Sequence, residues 1–208
     1  YNEREKELKE MGKDTSTIKK WRKLLKENLK KEKKEYFKFV DRVMEELYPK
    51  LSEKERTKIA RETYFNSILK YIKEKPEVKN DEIIKYFKLL KDKYRVTLIT
   101  TNTKSALKRI LQITNLTGLF DIIETSEPEE KDDKKIVFNR FIDKNGKPNV
   151  YIGGGRKDSY DYCLEKDIKC IYVNLEQEED IEGIESVHNL EELKSKINSL
   201  NPFPLFLP

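Results

Sequence analysis

The chain has 208 residues, of which 40% are charged and 36% hydrophobic, and its formal net charge at neutral pH is +5. This length is enough for one substantial core, or for one core and a small accessory domain. The excess of 44 Lys and Arg residues over 39 Asp and Glu residues is small for a nucleic-acid-binding protein. The charge therefore permits acidic ligands without requiring them.

The composition also argues against several classes of protein. Two cysteines seven positions apart and a single histidine, His188, do not form the pattern of a zinc site or a disulfide framework. No stretch reaches the roughly 18 apolar residues that a membrane span needs, and the lysine-rich N-terminal region lacks the apolar core of a signal peptide. We expect a cytoplasmic protein without membrane association.

The first part of the chain has the hydrophobic period of helices. Two stripes with helical spacing are followed by a capping box at Ser52 to Glu55, which predicts a helix that ends at Pro76. Asn80 is expected to cap a further helix. Residues 1–92 are therefore predicted to form a helical module. The stripes consist of Ile18, Trp21, Leu25 and Leu29, and of Phe37, Val40, Met44 and Leu47.

From residue 94 onwards, short β-rich runs alternate with helical stretches. This order predicts an α/β fold over residues 93–200, with a parallel sheet covered by helices on both faces. The apolar tail at 201–208 contains three prolines and is expected to lie on a surface groove. The predicted strands are 94–100, 120–125, 149–152, 170–173 and 184–187, and the predicted helices are 103–113, 134–142, 158–166 and 190–199.

In such sheets ligands bind at the carboxyl ends of the strands, so the loops after the strands carry the candidate chemistry. Thr101 and Asn102 follow the first strand and precede a helix, which is an arrangement that binds phosphate, although simple helix capping explains the same residues. After the second strand, Lys131, Lys134 and Lys135 each offer a cation to a phosphoryl oxygen. Solvated surface positions are the plainer explanation for these lysines.

The third loop reads "GGGRKDSYDY" from residue 153 and raises a question of its own. It fits neither the nucleotide P-loop nor the dinucleotide fingerprint, because the required glycines and lysine are missing. Asp158 and Asp161 lie near the start of the next helix, where a carboxylate helps to hold Mg²⁺ or simply caps a tight turn.

Taken in this order, the loops resemble the haloacid dehalogenase-like hydrolase superfamily over about residues 85 to 200. "YRVTLITTNT" resembles its second motif, with Thr101 and Asn102 as the implied phosphate-binding residues. "FDIIETSEPEEKDDKKIVF" is similar to the segment of the third motif, whose catalytic lysine falls on Lys131, with Lys134 and Lys135 as rivals. "NVYIGGGRKDSYDY" resembles the fourth motif, which implies Asp158 as a ligand of Mg²⁺. The resemblance also implies a three-layer Rossmann-like sheet and assigns the N-terminal helices to a cap.

The chain departs from this superfamily in two ways. The sequence contains no DxDx[TV] motif, whose first aspartate is the nucleophile and whose second is the general acid/base. We expect the chain to begin just after that motif, and the loss of its central strand is expected to leave the parallel sheet in two halves with unpaired edges. In addition, Gly154 or Gly155 stands where the fourth motif has a carboxylate, so metal affinity is expected to fall.

Two functions follow from the resemblance. The first is a Mg²⁺-dependent phosphatase, a phosphoric monoester hydrolase acting on a small phosphorylated metabolite, if the first motif exists upstream. The second is a catalytically inactive binding or structural protein that keeps an anion pocket at Thr101. Nucleic-acid binding by the lysine-rich residues 19–38 is a weaker third hypothesis, because their aromatic residues lie on the core stripe. The sequence does not predict an oligomeric state.

Overall fold

The structure is a computed structural model that describes residues 2–28, 36–154, 157–175 and 179–200. The chain forms two compact units. The first, which we call the helical unit, consists of Tyr1–Val78, Asn102–Asn115 and Glu127–Asp132. The second, the α/β unit, consists of Lys79–Thr101, Leu116–Ser126 and Asp133–Pro208. The predicted boundary between residues 92 and 93 stays a prediction, and the predicted tail at 201–208 lies outside the described residues.

The helical unit contains five of the described α-helices. The predicted capping box is confirmed: the hydroxyl of Ser52 accepts from the amide of Glu55, and the Glu55 carboxylate accepts from the amide of Ser52 at 2.8 Å. A short 3₁₀ helix, Pro76–Val78, follows the fourth helix. The helices are α1 (Asn2–Glu10), α2 (Ser16–Asn28), α3 (Tyr36–Leu47), α4 (Glu53–Glu74) and α6 (Lys104–Ile113).

Apolar residues from α1, α2 and α3 form the core of the helical unit. Leu8, Ile18 and Val43 are buried together, and Trp21 and Leu47 pack against them. This grouping follows from the helical stripes, because residues three or four positions apart lie on one face of a helix.

The α/β unit contains all five predicted strands, each displaced by one to three residues. β3, β4 and β5 pair in parallel, with Ile152 opposite Ile171 and Val173 opposite Val187. The predicted α/β class with a Rossmann-like parallel sheet is confirmed. The strands are β1 (Thr97–Thr103), β2 (Ile122–Ser126), β3 (Val150–Gly153), β4 (Lys169–Val173) and β5 (Glu185–Val187), and the helices are α5 (Asp81–Leu90), α7 (Lys134–Asn145), α8 (Lys157–Glu165) and α9 (Leu190–Ser199).

Strand β4 shows that helices cover both faces of the sheet. Cys170 and Tyr172 belong to a core that also contains residues of α7 and α8. Ile171, between them, belongs to a second core with residues of α5 and α9. Because successive side chains of a strand point to opposite faces, these two cores lie on opposite sides of β4. The result is the three-layer arrangement that the sequence predicts.

The described strands fall into two separately hydrogen-bonded sheets. One has the order β1-β2 and the other the order β3-β4-β5. No hydrogen-bonded strand pair joins these two sheets in the described part of the chain. Strands β1 and β3 nevertheless contribute to one core, because Ile99 of β1 and Tyr151 of β3 pack in the same apolar cluster.

None of the helices in the described part of the chain combines the length and the apolar character that crossing a membrane requires.

We predict that Phe138→Ala lowers the free energy of unfolding by about 3–5 kcal/mol, because it leaves a cavity in the core shared by β1, β3, α7 and α8. The Phe138 side chain is 0% exposed, and its ring stacks on Tyr162 with 5.0 Å between centroids. Urea denaturation measures the loss.

Leu89→Ala is the matched control, since Leu89 is 64% exposed on α5. We expect it to change the free energy of unfolding by less than about 0.5 kcal/mol. Equal losses in the two variants would contradict the arrangement of the core.

Candidate functional site

The carboxyl end of β1 carries the predicted phosphate-binding residues. Thr101 and Asn102 are half-buried within the strand, and Thr103 is the N-cap of α6. The hydroxyl of Thr103 accepts from the amide of Ala106 at 3.4 Å, so the capping function falls on Thr103. The boundary between the two units passes between Thr101 and Asn102, which places Thr101 in the α/β unit.

The three rival lysines have different surroundings. Lys134, at the start of α7, donates from Nζ to the carbonyl of Ile99 at 2.5 Å, two residues before Thr101. Lys135 Nζ lies 3.4 Å from Glu165 Oε2 on the exposed surface. Lys131 Nζ lies 2.9 Å from Glu53 Oε1 in the helical unit, in an ion pair whose side chains are 71% and 60% exposed. Within the α/β unit, Lys134 is therefore the lysine that lies beside the strand of Thr101.

Helix α7, which begins with Lys134, is fixed to β2 by an ionic cluster. Glu124 of β2 is buried, and its carboxylate lies 3.5 Å from Arg140 Nη1 and 3.1 Å from Lys144 Nζ. Arg140 also donates to the carbonyl of Thr125 at 2.8 Å. The two cations lie four residues apart on α7, so they reach the same carboxylate from successive turns.

At the start of α7, Asp133 is the N-cap, and its carboxylate accepts from the amide of Lys135 at 2.9 Å. The position of Lys134 therefore follows from a capped helix start and from the ionic contacts of β2. Neither of these determinants was visible in the spacing of the lysines.

The glycine-rich loop begins at the carboxyl end of β3. A Cβ atom added to Gly153 would lie 2.5 Å from the Tyr151 hydroxyl, so a side chain there would displace that tyrosine. A Cβ added to Gly154 would lie 3.7 Å from the carbonyl oxygen of Val173, which is an ordinary contact. A side chain at position 153 thus requires Tyr151 to move, whereas position 154 accepts one without a close contact. Gly155, the other predicted position of the missing carboxylate, lies outside the described residues.

Asp158 and Asp161 lie on α8, directly after this loop. Asp158 is half-buried in the first turn of the helix, where a negative charge is favourable. Asp161 is exposed and accepts from Lys157 Nζ at 2.6 Å. The assignment of Asp158 as a metal ligand stays a prediction.

We tested these residues for their fit to Mg²⁺, which takes oxygen ligands in an octahedral arrangement. Asp158 contributes one carboxylate, and Gly154 contributes no side chain. Among the described residues, no group of three or more His, Cys, Asp or Glu side chains is placed to hold a metal ion. The described residues therefore do not make a magnesium site by themselves.

Two tyrosines, the buried Tyr160 and the half-buried Tyr151, lie near the end of β3, and the sequence reasoning missed them. Tyr160 of α8 donates from its hydroxyl to the carbonyl of Gly153 at 2.5 Å, which fixes the start of α8 to the end of β3. The ring of Tyr151 lies 5.4 Å from that of Tyr160. The helical spacing of Tyr160 and Cys163 was the signal that this face of α8 is buried.

The hydroxyls of Tyr151 and Tyr160 and the thiols of Cys163 and Cys170 stay neutral at physiological pH. Burial raises the pKa of Tyr160 and of Tyr151, and the nearby charge of Asp158 adds to the rise in the pKa of Tyr151. Burial also raises the pKa of the Cys163 and Cys170 thiols. A buried thiol with a raised pKa is a poor nucleophile, so these side chains act as packing groups and hydrogen-bond donors.

Residues 12–160 match the model of the haloacid dehalogenase-like hydrolase family, which is more than half of the chain. Among solved structures, the chain is similar to that of a predicted phosphatase from Clostridium acetobutylicum, with a TM-score of 0.55 and 22% sequence identity over 77% of each chain. At this identity the likeness shows a shared fold. No curated protein matches the sequence.

We predict that Gly154→Asp raises the affinity for Mg²⁺ by at least about tenfold, because it adds a carboxylate after β3 and even the outer partners of metal ligands change affinity by such factors. The ordinary contact of a Cβ with Val173 leaves room for the new side chain. Titration calorimetry with MgCl₂ measures the change.

Gly154→Asn is the matched control, since it adds the same volume without the charge. Equal Mg²⁺ affinity of the Asp variant, the Asn variant and the original chain would refute the prediction that residue 154 lies beside a metal site.

Proposed function

Because this chain belongs to the haloacid dehalogenase-like hydrolase family, we propose that it binds the phosphoryl group of a small phosphorylated molecule at the carboxyl end of β1, in a site of the phosphatase type. Thr101 and Lys134 are the residues of the α/β unit that we assign to this site. Asn102 and Lys131, which the sequence also indicates, are further candidates for it.

The contact between Lys134 Nζ and the carbonyl of Ile99 carries this proposal. It holds an ammonium group within two residues of the Thr101 hydroxyl on the same strand. Phosphoryl oxygens accept hydrogen bonds from hydroxyl and ammonium donors, and a fixed cation stabilises the negative charge that develops during phosphoryl transfer. The partly buried surroundings of Lys134 strengthen that interaction relative to water.

The residues of this chain bind and orient the phosphoryl group in this proposal. The sequence contains no DxDx[TV] motif, so we assign the nucleophile and the general acid/base to no residue here. Magnesium supplies a positive charge to the phosphoryl oxygens in this family, and Asp158 is the residue that we propose for its coordination.

The second candidate function is that of a catalytically inactive protein that binds a phosphorylated molecule. Gly154 favours it, because the position takes a side chain but lacks the carboxylate expected there. Both candidates share the anion pocket, and they differ in turnover.

We predict that Lys134→Gln weakens the binding of inorganic phosphate by about 10-fold to 100-fold, the range expected for the loss of a hydrogen bond from a charged donor. Titration calorimetry at constant ionic strength measures the dissociation constant. Lys135→Gln is the matched control, because Lys135 is paired with Glu165 on the surface, and it should bind phosphate like the original chain.

Lys131→Gln separates the rival assignments. A loss of phosphate affinity in that variant, with none in Lys134→Gln, would return the assignment to Lys131. Unchanged affinity in both variants would refute a lysine of this segment as the phosphate ligand.

A screen of phosphorylated metabolites with MgCl₂ separates the two functions. We expect the protein to release inorganic phosphate from at least one small phosphate ester, and EDTA to suppress the release. Phosphate binding without turnover across the screen would favour the inactive binding protein. A control without enzyme corrects for spontaneous hydrolysis.

A further inference from the structure

The single histidine of the chain lies between two carboxylates of the α/β unit. His188 directly follows β5 and is exposed. Its Nε2 atom lies 3.1 Å from Oδ1 of Asp180, a residue of the segment that leads into β5. Its Nδ1 atom lies 3.5 Å from Oε2 of Glu192, in the first turn of α9. The two nitrogens of one imidazole ring thus face carboxylates from two separate parts of the chain.

Both carboxylates have further donors that hold them in place. Oδ1 of Asp180 accepts from Nδ2 of Asn174 at 2.9 Å, and Asn174, directly after β4, is buried. Glu192 accepts from the amide of His188 at 2.8 Å and from Nδ2 of Asn189 at 2.6 Å. The imidazole ring therefore connects two carboxylates that other contacts already position. Through Asp180 it ties residues 179–184 to the start of α9.

The two carboxylates keep their negative charge over the pH range in which histidine titrates. Hydrogen bonds, that from Asn174 foremost, lower the pKa of Asp180, and the hydrogen bond from the His188 amide lowers the pKa of Glu192. Imidazole is the side chain that changes its charge between pH 5 and 8. In this cluster the ring is therefore the group that changes its charge. Other charges of β5 and α9 pair with each other, Glu185 with Lys196 and Glu191 with Lys194.

Both contacts of the ring require a proton on the nitrogen concerned. A carboxylate oxygen only accepts hydrogen bonds, and the protonated ring donates from Nδ1 and from Nε2. The neutral ring donates from one nitrogen, so the other nitrogen turns its lone pair towards a negatively charged oxygen. The protonated ring of His188 can therefore satisfy Asp180 and Glu192 together, whereas the neutral ring has to give up one of these contacts.

We propose that His188 is a pH-sensitive latch: in its protonated form it links Asp180 to Glu192 and thereby holds residues 179–184 against the start of α9. The link is complete at acidic pH and weakens as the pH rises through the titration of the ring. Because Asp180 is bound to Asn174, these residues lie at the carboxyl end of β4, which is the edge where parallel sheets bind ligands. The latch does not depend on the proposed function, and its test contains no phosphate.

NMR spectroscopy of the original chain between pH 5 and 8.5 tests the latch. The ring signals of His188 are unambiguous, because the chain has one histidine. We expect the hydrogen-exchange protection factors of the amides in 179–184, corrected for the intrinsic pH dependence of exchange, to fall about twofold to fivefold as the pH rises. This is the range expected for the loss of an exposed ion pair. The midpoint of this fall should coincide with that of the ring titration.

Two substitutions should abolish the pH dependence. His188→Gln removes the titrating ring. Asp180→Asn removes the charge that faces the ring and keeps an oxygen that accepts from Asn174. Glu182→Gln is the matched control, because Glu182 is an exposed carboxylate of the same segment, and it should keep the pH dependence of the original chain.

Several results would overturn the latch. Protection factors that stay constant through the ring titration would refute it, as would a midpoint that differs from that of the ring. A pH dependence that persists in His188→Gln would show that another group controls the segment, and one that persists in Asp180→Asn would refute the link to Asp180. Loss of the pH dependence in Glu182→Gln would show that the charge of the segment, and not the ring contact, sets its protection.

Discussion

The burial of β4 on both faces is the constraint on which the α/β unit depends. Tyr172 and Ile171 are adjacent in sequence, and their side chains enter different cores. A strand in this position needs a helical layer on each side, because an uncovered apolar face would remain in water. The helices α7 and α8 cover one face of β4, and they also begin with the candidate residues Lys134 and Asp158 in their first turns. The packing of the sheet therefore determines where Lys134 and Asp158 lie.

Much of this architecture was predictable from the sequence, because the apolar runs and the helical stripes report burial directly. The strand ends were less predictable. β1 extends to Thr103, beyond the predicted end at residue 100, since the polar run "TTNT" has no hydrophobic signal. α7 extends to Asn145, beyond residue 142, and it ends where Gly146 adopts a φ of 80°. Local chemistry sets such ends, and hydrophobic periodicity does not detect it.

The location of the candidate residues was predictable in part. Thr101 and Asn102 were candidates because they follow a predicted buried strand; they lie within β1, and their binding role stays a prediction. The choice among the three lysines was not predictable, because all three occupy one polar segment and only tertiary contacts distinguish them. Glu53 on α4 pairs with Lys131, and Ile99 on β1 accepts from Lys134. Each partner lies more than thirty residues away in sequence, a distance at which local pattern carries no information.

The two units are interleaved along the chain, and this limits how the protein can evolve by recombination. The chain passes between the units five times, at residues 78, 101, 115, 126 and 132. A gene fragment that encodes residues 1–92 would lack α6, which packs on α4, and would also lack Glu130, whose carbonyl accepts from Arg61. A single recombination junction therefore cannot transfer the whole helical unit to another protein, because the unit consists of three separate segments.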